Sequence, residues 1–280
     1  MTTKIFRRTI YRTKDFKNFL LEDPLKLYRK EKKLLDKEFF FEGDNNQAIL
    51  LIHGWSTVPY EMKRLGEFLN AHGYTVYIPM LTGHGTIPQE MEGVTAKDWI
   101  KDTKKAYAFL KKRYSKVYVG GTSMGAILAL NLALLKKDIA GLILLATPYK
   151  LKMEKVVELF LKIVLHFKKY HKKFYPPTFG KATRITRLIS YQTYSIKSVL
   201  ELGFLVQETR KKLNKIYQPC LLMQSKHDHI IQKRSMEIIY NKINSQKKYK
   251  KYIEKAYHTF ISDIKKEYVF EYILDFIKNN

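Results

Sequence analysis

The sequence predicts an α/β fold: a mostly parallel central sheet with helices on both faces, interrupted once by an inserted helical lid. Three observations carry this. Short apolar runs of strand length alternate with segments of helical spacing along most of the 280 residues. Runs such as "QAILLIHG" and "AGLILLATP" are apolar throughout rather than at every second position, as in strands buried on both faces. In "VYVGGTSMGAILAL" a strand-like run turns into a helix-like run across a serine set between glycines.

The elements follow in order. "EFFFEGD" (38–44) alternates weakly and ends in a turn, and "QAILLIHG" (47–54) is the first buried strand. "EMKRLGEFLNAHG" has helical spacing with Gly73 as its stop. "YTVYIPML" is a strand and "TGHGT" a glycine-rich loop. Residues 95–115 form a helix capped by Thr95, with Trp99, Ala106 and Leu110 recurring on its inner side. "KVYVGG" (116–121) is a strand and "MGAILALNLALLKK" the helix after it. "AGLILLATP" (140–148), "PCLLMQS" (219–225) and "YKKYIEKA" (249–256) are further strands, the last half-exposed. Residues 263–278 close the chain as an amphipathic helix, with Asp263 as its cap and Ile264, Tyr268, Tyr272 and Phe276 on one side. Strands alternating with helices imply parallel pairing covered on both faces.

The alternation breaks between residues 150 and 218. That stretch is helical in pattern, contains the helix-breaking "YPPTFG", and reads as a lid inserted in a core made of 38–149 and 219–280. Residues 1–37 form a basic N-terminal extension. No apolar run reaches the roughly 20 residues that span a bilayer. "MTTKIFRRTIYR" has no apolar stretch behind it and so does not read as a signal peptide. The single cysteine, Cys220, precludes an internal disulfide and suits a reducing cytoplasm.

The formal net charge is +26, unevenly spread. Residues 1–37 hold 12 Lys and Arg against 5 Asp and Glu, residues 150–218 hold 16 against 4, and the remainder 24 against 17. The excess therefore sits on the accessory segments. It is explained either by a lysine-rich compositional bias or by an anionic surface nearby. No nucleic-acid-reading motif accompanies it.

The serine is the informative residue. Gly121-Thr122-Ser123-Met124-Gly125 matches G-x-S-x-G. In that turn a strand reverses sharply into a helix and presents a strained serine at the carboxyl edge of the sheet. The helix N-terminus behind it favours negative charge. A serine hydroxyl needs a base, and the base needs a carboxylate to fix its tautomer. Asp228 in "QSKHDHII" and His258 in "KAYHTF" follow in the expected chain order, each just past a strand. Other histidines are weaker candidates. His227 and His229 flank the acid, while His72, His166 and His171 lie on helical patterns. His84, in "GHG", lines the site or braces a loop. Glu254 and Asp263 are substitute acids. No ligand set for a metal is present, and no cofactor is expected. An oxyanion hole would draw on the N–H of Met124 and on the loop after the first buried strand, where Trp55 is the candidate.

The ordered motifs "LLIHGW", "PMLTGHGT", "TAKDWIKD", "GGTSMGA", "SKHDHII" and "AYHTF" resemble the α/β-hydrolase superfamily, and within it the small bacterial carboxylesterases and monoacylglycerol lipases. The resemblance covers roughly 38–149 and 219–280. It implies Ser123, Asp228 and His258 as catalytic triad, Trp55 and Met124 as backbone donors, and cofactor-free hydrolysis of carboxylic esters through an acyl-enzyme. Ala126 stands where many members have a further glycine. The lid would select the acyl group. Its residues Phe160, Ile163, Val164 and Phe167 share one helical face with Val156 and Leu159, opposite lysines. That face either lines an acyl pocket or docks on an anionic membrane. The expected partner is a small-molecule acyl ester, with peripheral membrane contact as a second expectation. The rival reading is a catalytically idle hydrolase-like module that binds anionic membrane or polyanion through its basic segments.

Overall fold

The computed structural model describes residues 37–150, 154, 159–161, 163, 165, 168–172, 189–191, 193–262 and 268–280. Nine strands occur among them: β1 (Phe39–Phe41), β2 (Gln47–Ile52), β3 (Thr75–Ile78), β4 (Lys116–Thr122), β5 (Leu142–Leu145), β6 (Tyr170–Lys172), β7 (Thr193–Ser195), β8 (Cys220–Ser225) and β9 (Lys248–Ile253). The helices are α1 (Tyr60–Asn70), α2 (Ala96–Lys111), α3 (Met124–Leu135), α4 (Ile196–Arg210), α5 (Ser235–Lys242) and α6 (Tyr268–Lys278).

Seven strands form one sheet in the order β1-β3-β2-β4-β5-β8-β9. Only β1 runs antiparallel to its neighbour. The sheet is buried on both faces because side chains alternate between two cores. Ala48, Leu50 and Ile52 of β2 join Trp99, Tyr107, Leu128 and Leu205 on one side. Ile49 and Leu51 join Met62, Leu65, Ile273 and Ile277 on the other. A strand read by two layers cannot show a polar face, so its sequence is apolar throughout.

Helix starts and stops follow local chemistry. Thr95 opens α2 with a capping box: its hydroxyl and its N–H both reach the Asp98 carboxylate, at 2.7 and 2.9 Å. Trp99, Ala106 and Leu110 are buried along it, as the spacing predicts. α3 is buried almost all round, since it lies between the sheet and the helices α2 and α4.

Two expectations are corrected. The closing helix buries Val269, Phe270, Ile273, Leu274, Phe276 and Ile277, while Tyr268 and Tyr272 lie exposed with their rings 6.4 Å apart. A stripe of aliphatic and phenylalanine side chains, Phe276 of the expected side among them, outcompetes the tyrosines for the core because each phenol must keep a polar partner. Ile264 and Asp263 lie outside the described residues. Secondly, the insert is not purely helical. β6 and β7 pair antiparallel as a small separate sheet, Tyr170 opposite Ser195 and Lys172 opposite Thr193. The aromatic and β-branched residues Tyr170, Thr193 and Tyr194 suit such pairing. The insert's last helix, α4, buries Leu202, Leu205 and Val206 in the same core as α3. Among the described residues no helix is long and apolar enough to cross a membrane.

Candidate active site

Ser123 sits between β4 and α3 with φ at +53°, a backbone conformation that L-residues adopt under strain. Two close approaches hold it there. A side chain on Gly121 would stand 2.3 Å from the Gly125 carbonyl carbon, and one on Gly125 would stand 2.1 Å from Ile52 O. The turn therefore needs glycine at both places so that α3 can press against β2 and β4. Ser123 N–H donates to Leu145 O at 2.9 Å, which ties the turn to β5.

His258 and Asp228 arrive from two loops at the same sheet edge. His258 Nε2 lies 3.0 Å from Ser123 Oγ, and His258 Nδ1 lies 2.7 Å from Asp228 Oδ2. The other carboxylate oxygen of Asp228 accepts Ile230 N–H and Ile231 N–H at 2.9 and 3.0 Å. Both side chains are buried. The Ser225 hydroxyl donates to Ala256 O and so pins the loop that carries His258 to the end of β8.

The electrostatics are mutual. Burial works to raise the Asp228 pKa, but the charge of His258 and the hydrogen bonds from His258, Ile231 and Ile230 outweigh it and hold the carboxyl below its ordinary range. Burial works to lower the His258 pKa, but the Asp228 charge and hydrogen bond, with the charge of Glu61, outweigh it and raise the imidazole above its ordinary value. An ionised Asp228 accepts the Nδ1 proton, which leaves Nε2 as the acceptor of the serine proton.

The two backbone-donor candidates come from the start of α3 and from the loop after β2. Met124 opens α3, whose first N–H groups have no intrahelical acceptor. Trp55 lies in the loop after β2, where a methyl group built on the preceding Gly54 would stand 3.7 Å from Ser123 Cβ. Its indole meets Tyr194 of the β6–β7 hairpin edge-on, ring centroids 5.3 Å apart. Of the lid candidates, Phe160 and Ile163 are exposed, with 56% and 54% of their surface open, as is Leu159 at 62%, whereas Leu161 is buried. Val164 and Phe167 lie outside the described residues.

The rival groups fall elsewhere. Glu254 pairs with Lys226 at the surface. His227 is exposed, and His229 meets Tyr257 edge-on. His72 leans on its own helix through Phe68 O, and His171 stacks on Tyr194 instead of lying on a helix. His84 braces a loop: its Nε2 accepts Ser56 N–H at 2.9 Å. Among the described residues no group of three or more His, Cys, Asp or Glu could hold a metal ion. Burial pushes the Cys220 thiol up, in keeping with a core residue.

Three site residues escape sequence reasoning. His53 is fully buried, with Nδ1 on Gly54 O and Nε2 accepting Leu81 N–H. Burial lowers its pKa to about 4, so it stays neutral and clamps two loops. Tyr191, from the insert, donates its N–H to Ser56 O at 2.9 Å. Glu61, at the start of α1, accepts Gly54 N–H and the Thr57 hydroxyl, each at 2.7 Å. His53 was visible as part of "LLIHGW", but nothing in the spacing points to Tyr191 or Glu61.

Residues 43–265 match the family described as "Serine aminopeptidase, S33". The chain belongs to this family. It is 29% identical over 245 residues to a carboxylesterase of Bacillus subtilis (strain 168), covering 86% of this chain and 96% of that one. It is also 29% identical over 246 residues to a thermostable monoacylglycerol lipase of Bacillus sp. (strain H-257), covering 85% and 93%. A solved structure described with the metagenome-derived lipolytic enzymes LipS and LipT superposes with a TM-score of 0.80 at 27% identity, covering 88% of this chain and 99% of that one. The monoacylglycerol lipase of Paleococcus ferrophilus superposes at 0.73 and 16% identity, covering 87% and 99%, a likeness of fold. The α/β-hydrolase resemblance read from the motifs is thus borne out. The protein is a serine hydrolase of that fold.

Proposed function

We propose that this serine hydrolase cleaves carboxylic esters, monoacylglycerols among them, through a Ser123–His258–Asp228 triad and an acyl-enzyme. The observation that carries the reading is the unbroken hydrogen-bonded chain from Ser123 Oγ through the imidazole to a buried carboxylate, at 3.0 and 2.7 Å. His258 Nε2 takes the hydroxyl proton as Oγ attacks the ester carbonyl. The Trp55 and Met124 N–H groups receive the oxyanion of the tetrahedral adduct. The C–O bond to the leaving alcohol breaks as the imidazolium returns its proton to that oxygen. Water then attacks the acyl-serine with the same base and frees the acid and the serine.

Residues 150–218 serve as the lid over this site. The exposure of Leu159, Phe160 and Ile163 supports contact of that face with a lipid surface over the lining of an acyl pocket. Lys168 and Lys169, exposed nearby, suit an anionic one. We assign the enzyme to the cytoplasm, where the buried Cys220 thiol needs no partner.

Hydrolysis of p-nitrophenyl esters and monoacylglycerols of graded chain length tests the assignment, with amino-acid nitroanilides as the contrasting substrates. Ser123→Ala is expected to lose about 10⁴-fold or more in kcat. Wild-type protein that leaves esters intact, or a Ser123→Ala variant that keeps its rate, refutes the assignment.

A further inference from the structure

The mechanism leaves the buried carboxylate of Glu61 without a role. Glu61 is 4% exposed, sits in the first turn of α1 and is ionisable. Its Oε2 accepts Gly54 N–H at 2.7 Å and lies 2.7 Å from Thr57 Oγ1, whose single proton is shared with Gly54 O at 2.9 Å. The carboxylate thus grips both ends of the four-residue loop that holds Trp55. It also lies close to the reacting atoms. A methyl group built on Gly54 would stand 3.2 Å from Glu61 Oε2 and 3.7 Å from Ser123 Cβ, so Gly54 lies between the carboxylate and the nucleophile's side chain, which are within the sum of those two distances. From the other side, Ser262, in the turn after His258, reaches the Glu61 carbonyl at 3.4 Å.

We propose that Glu61 is a positioning residue with two tasks: it fixes the loop that presents the Trp55 N–H, and it supplies a second negative charge in the neighbourhood of Ser123 and His258. The proposal rests on the reading of His258 as the general base. Several elements pack around that ring. The loop after β8 brings the Asp228 carboxylate, α1 brings Glu61, and the turn before α3 brings the Ser123 hydroxyl. Tyr257, next in sequence to His258, meets His229 edge-on. Asp228 alone touches the ring through hydrogen on Nδ1; Glu61 acts through space, favouring the imidazolium that forms when Ser123 is deprotonated. Glu61 sits in the first turn of α1, where the helix N-terminus favours negative charge.

The sign is testable. A base that loses a neighbouring negative charge becomes less basic. Glu61→Gln keeps an oxygen for Gly54 N–H but carries no charge. Its acid limb of kcat/KM, set by protonation of His258, should move to lower pH by about one unit. Plateau kcat should fall by up to about tenfold, since one pKa unit corresponds to a factor of ten in the stabilisation of the imidazolium. KM should change by less than about twofold. Glu61→Asp, with the charge retained, should keep the acid limb of the wild type. A variant that is merely damaged loses rate without becoming active at lower pH. NMR titration of the His258 ring in the Ser123→Ala background reads the same shift without turnover. An inactive wild type therefore sinks the esterase assignment, whereas an imidazole whose titration ignores Glu61→Gln sinks this proposal.

Discussion

The sheet core and the insert between β5 and β8 are built by different rules. In the core, β2, β4, β5 and β8 are apolar along their length, lie between two layers of side chains and pair in continuous parallel register. Among the described residues the insert contributes the short strands β6 and β7 and the helix α4; α4 buries Leu202, Leu205 and Val206 in the core beside α3, and polar contacts make further joins. Arg210 donates to Tyr149 O at 3.3 Å, Tyr170 donates to Glu92 at 2.6 Å, and Glu201 accepts Ala96 N–H at 2.9 Å. Tyr191 holds three backbone groups of the core loops. The difference separates two sources of order. Area burial sets the frame and seats α4 on it, whereas point contacts fix the insert's other described residues against the core loops.

The largest effect should come from the frame, at the acid. Asp228→Asn preserves shape but presents an amide to His258 Nδ1. The imidazole then turns its proton toward the serine, or loses its anchor, and kcat should fall by about 10⁴-fold with folding intact. Ester turnover and a circular-dichroism melt of the same sample check both halves. A variant within tenfold of wild type would mean that the acid acts from elsewhere.

Next in size is a steric test of the same frame. Gly125→Ala places a methyl 2.1 Å from Ile52 O and 2.7 Å from His53 O, both backbone atoms. α3 must move off β2, and the cost should be about 3 kcal/mol in urea unfolding. Because β2 leads directly into His53, Gly54 and Trp55, activity should fall with stability. An unchanged unfolding midpoint would show that the α3–β2 contact is softer than the packing implies.

The same division explains what the sequence made legible. The strands and helices of the core could be read because burial repeats locally: Ile49, Leu51, Val117 and Val119 show it within a few positions of one another. The turn at Ser123 and the loops bearing Asp228 and His258 could be read because they sit where strands of that kind end. The face of α6 was misread because tyrosines and aliphatics both recur at helical spacing, and only their competition for the core decides. The β6–β7 hairpin was missed because its strands are three residues long and 20 residues apart. Glu61 and Tyr191 left no trace because each acts through pairings set by the fold. Tyr191, for one, meets Thr86 across 105 positions, and no periodicity spans that interval.

Tyr191 offers the smallest and most selective test, because it sits on the seam between the two regions. Its N–H donates to Ser56 O, its hydroxyl donates to Gly83 O at 3.1 Å, and that hydroxyl accepts Thr86 N–H at 3.0 Å. Gly83 and Thr86 flank His84, whose Nε2 holds Ser56 N–H. Ser56 itself is kept at φ +60° beside Trp55. One insert residue thus grips the Trp55 loop directly through its amide and indirectly through its phenol. Tyr191→Phe leaves the amide bond in place and removes the phenol oxygen from a buried setting, orphaning one acceptor and one donor. Stability should fall by about 1–2 kcal/mol. If the seam transmits position, kcat should fall about fivefold with KM nearly unchanged, because the proposed oxyanion donors would act mainly in the transition state. Affinity for a trifluoromethyl ketone, which forms a tetrahedral adduct with the serine, should fall by the same factor. A loss of stability with full kcat and full adduct affinity would make the insert a passive cover and leave the loop to Glu61, His84 and His53 alone.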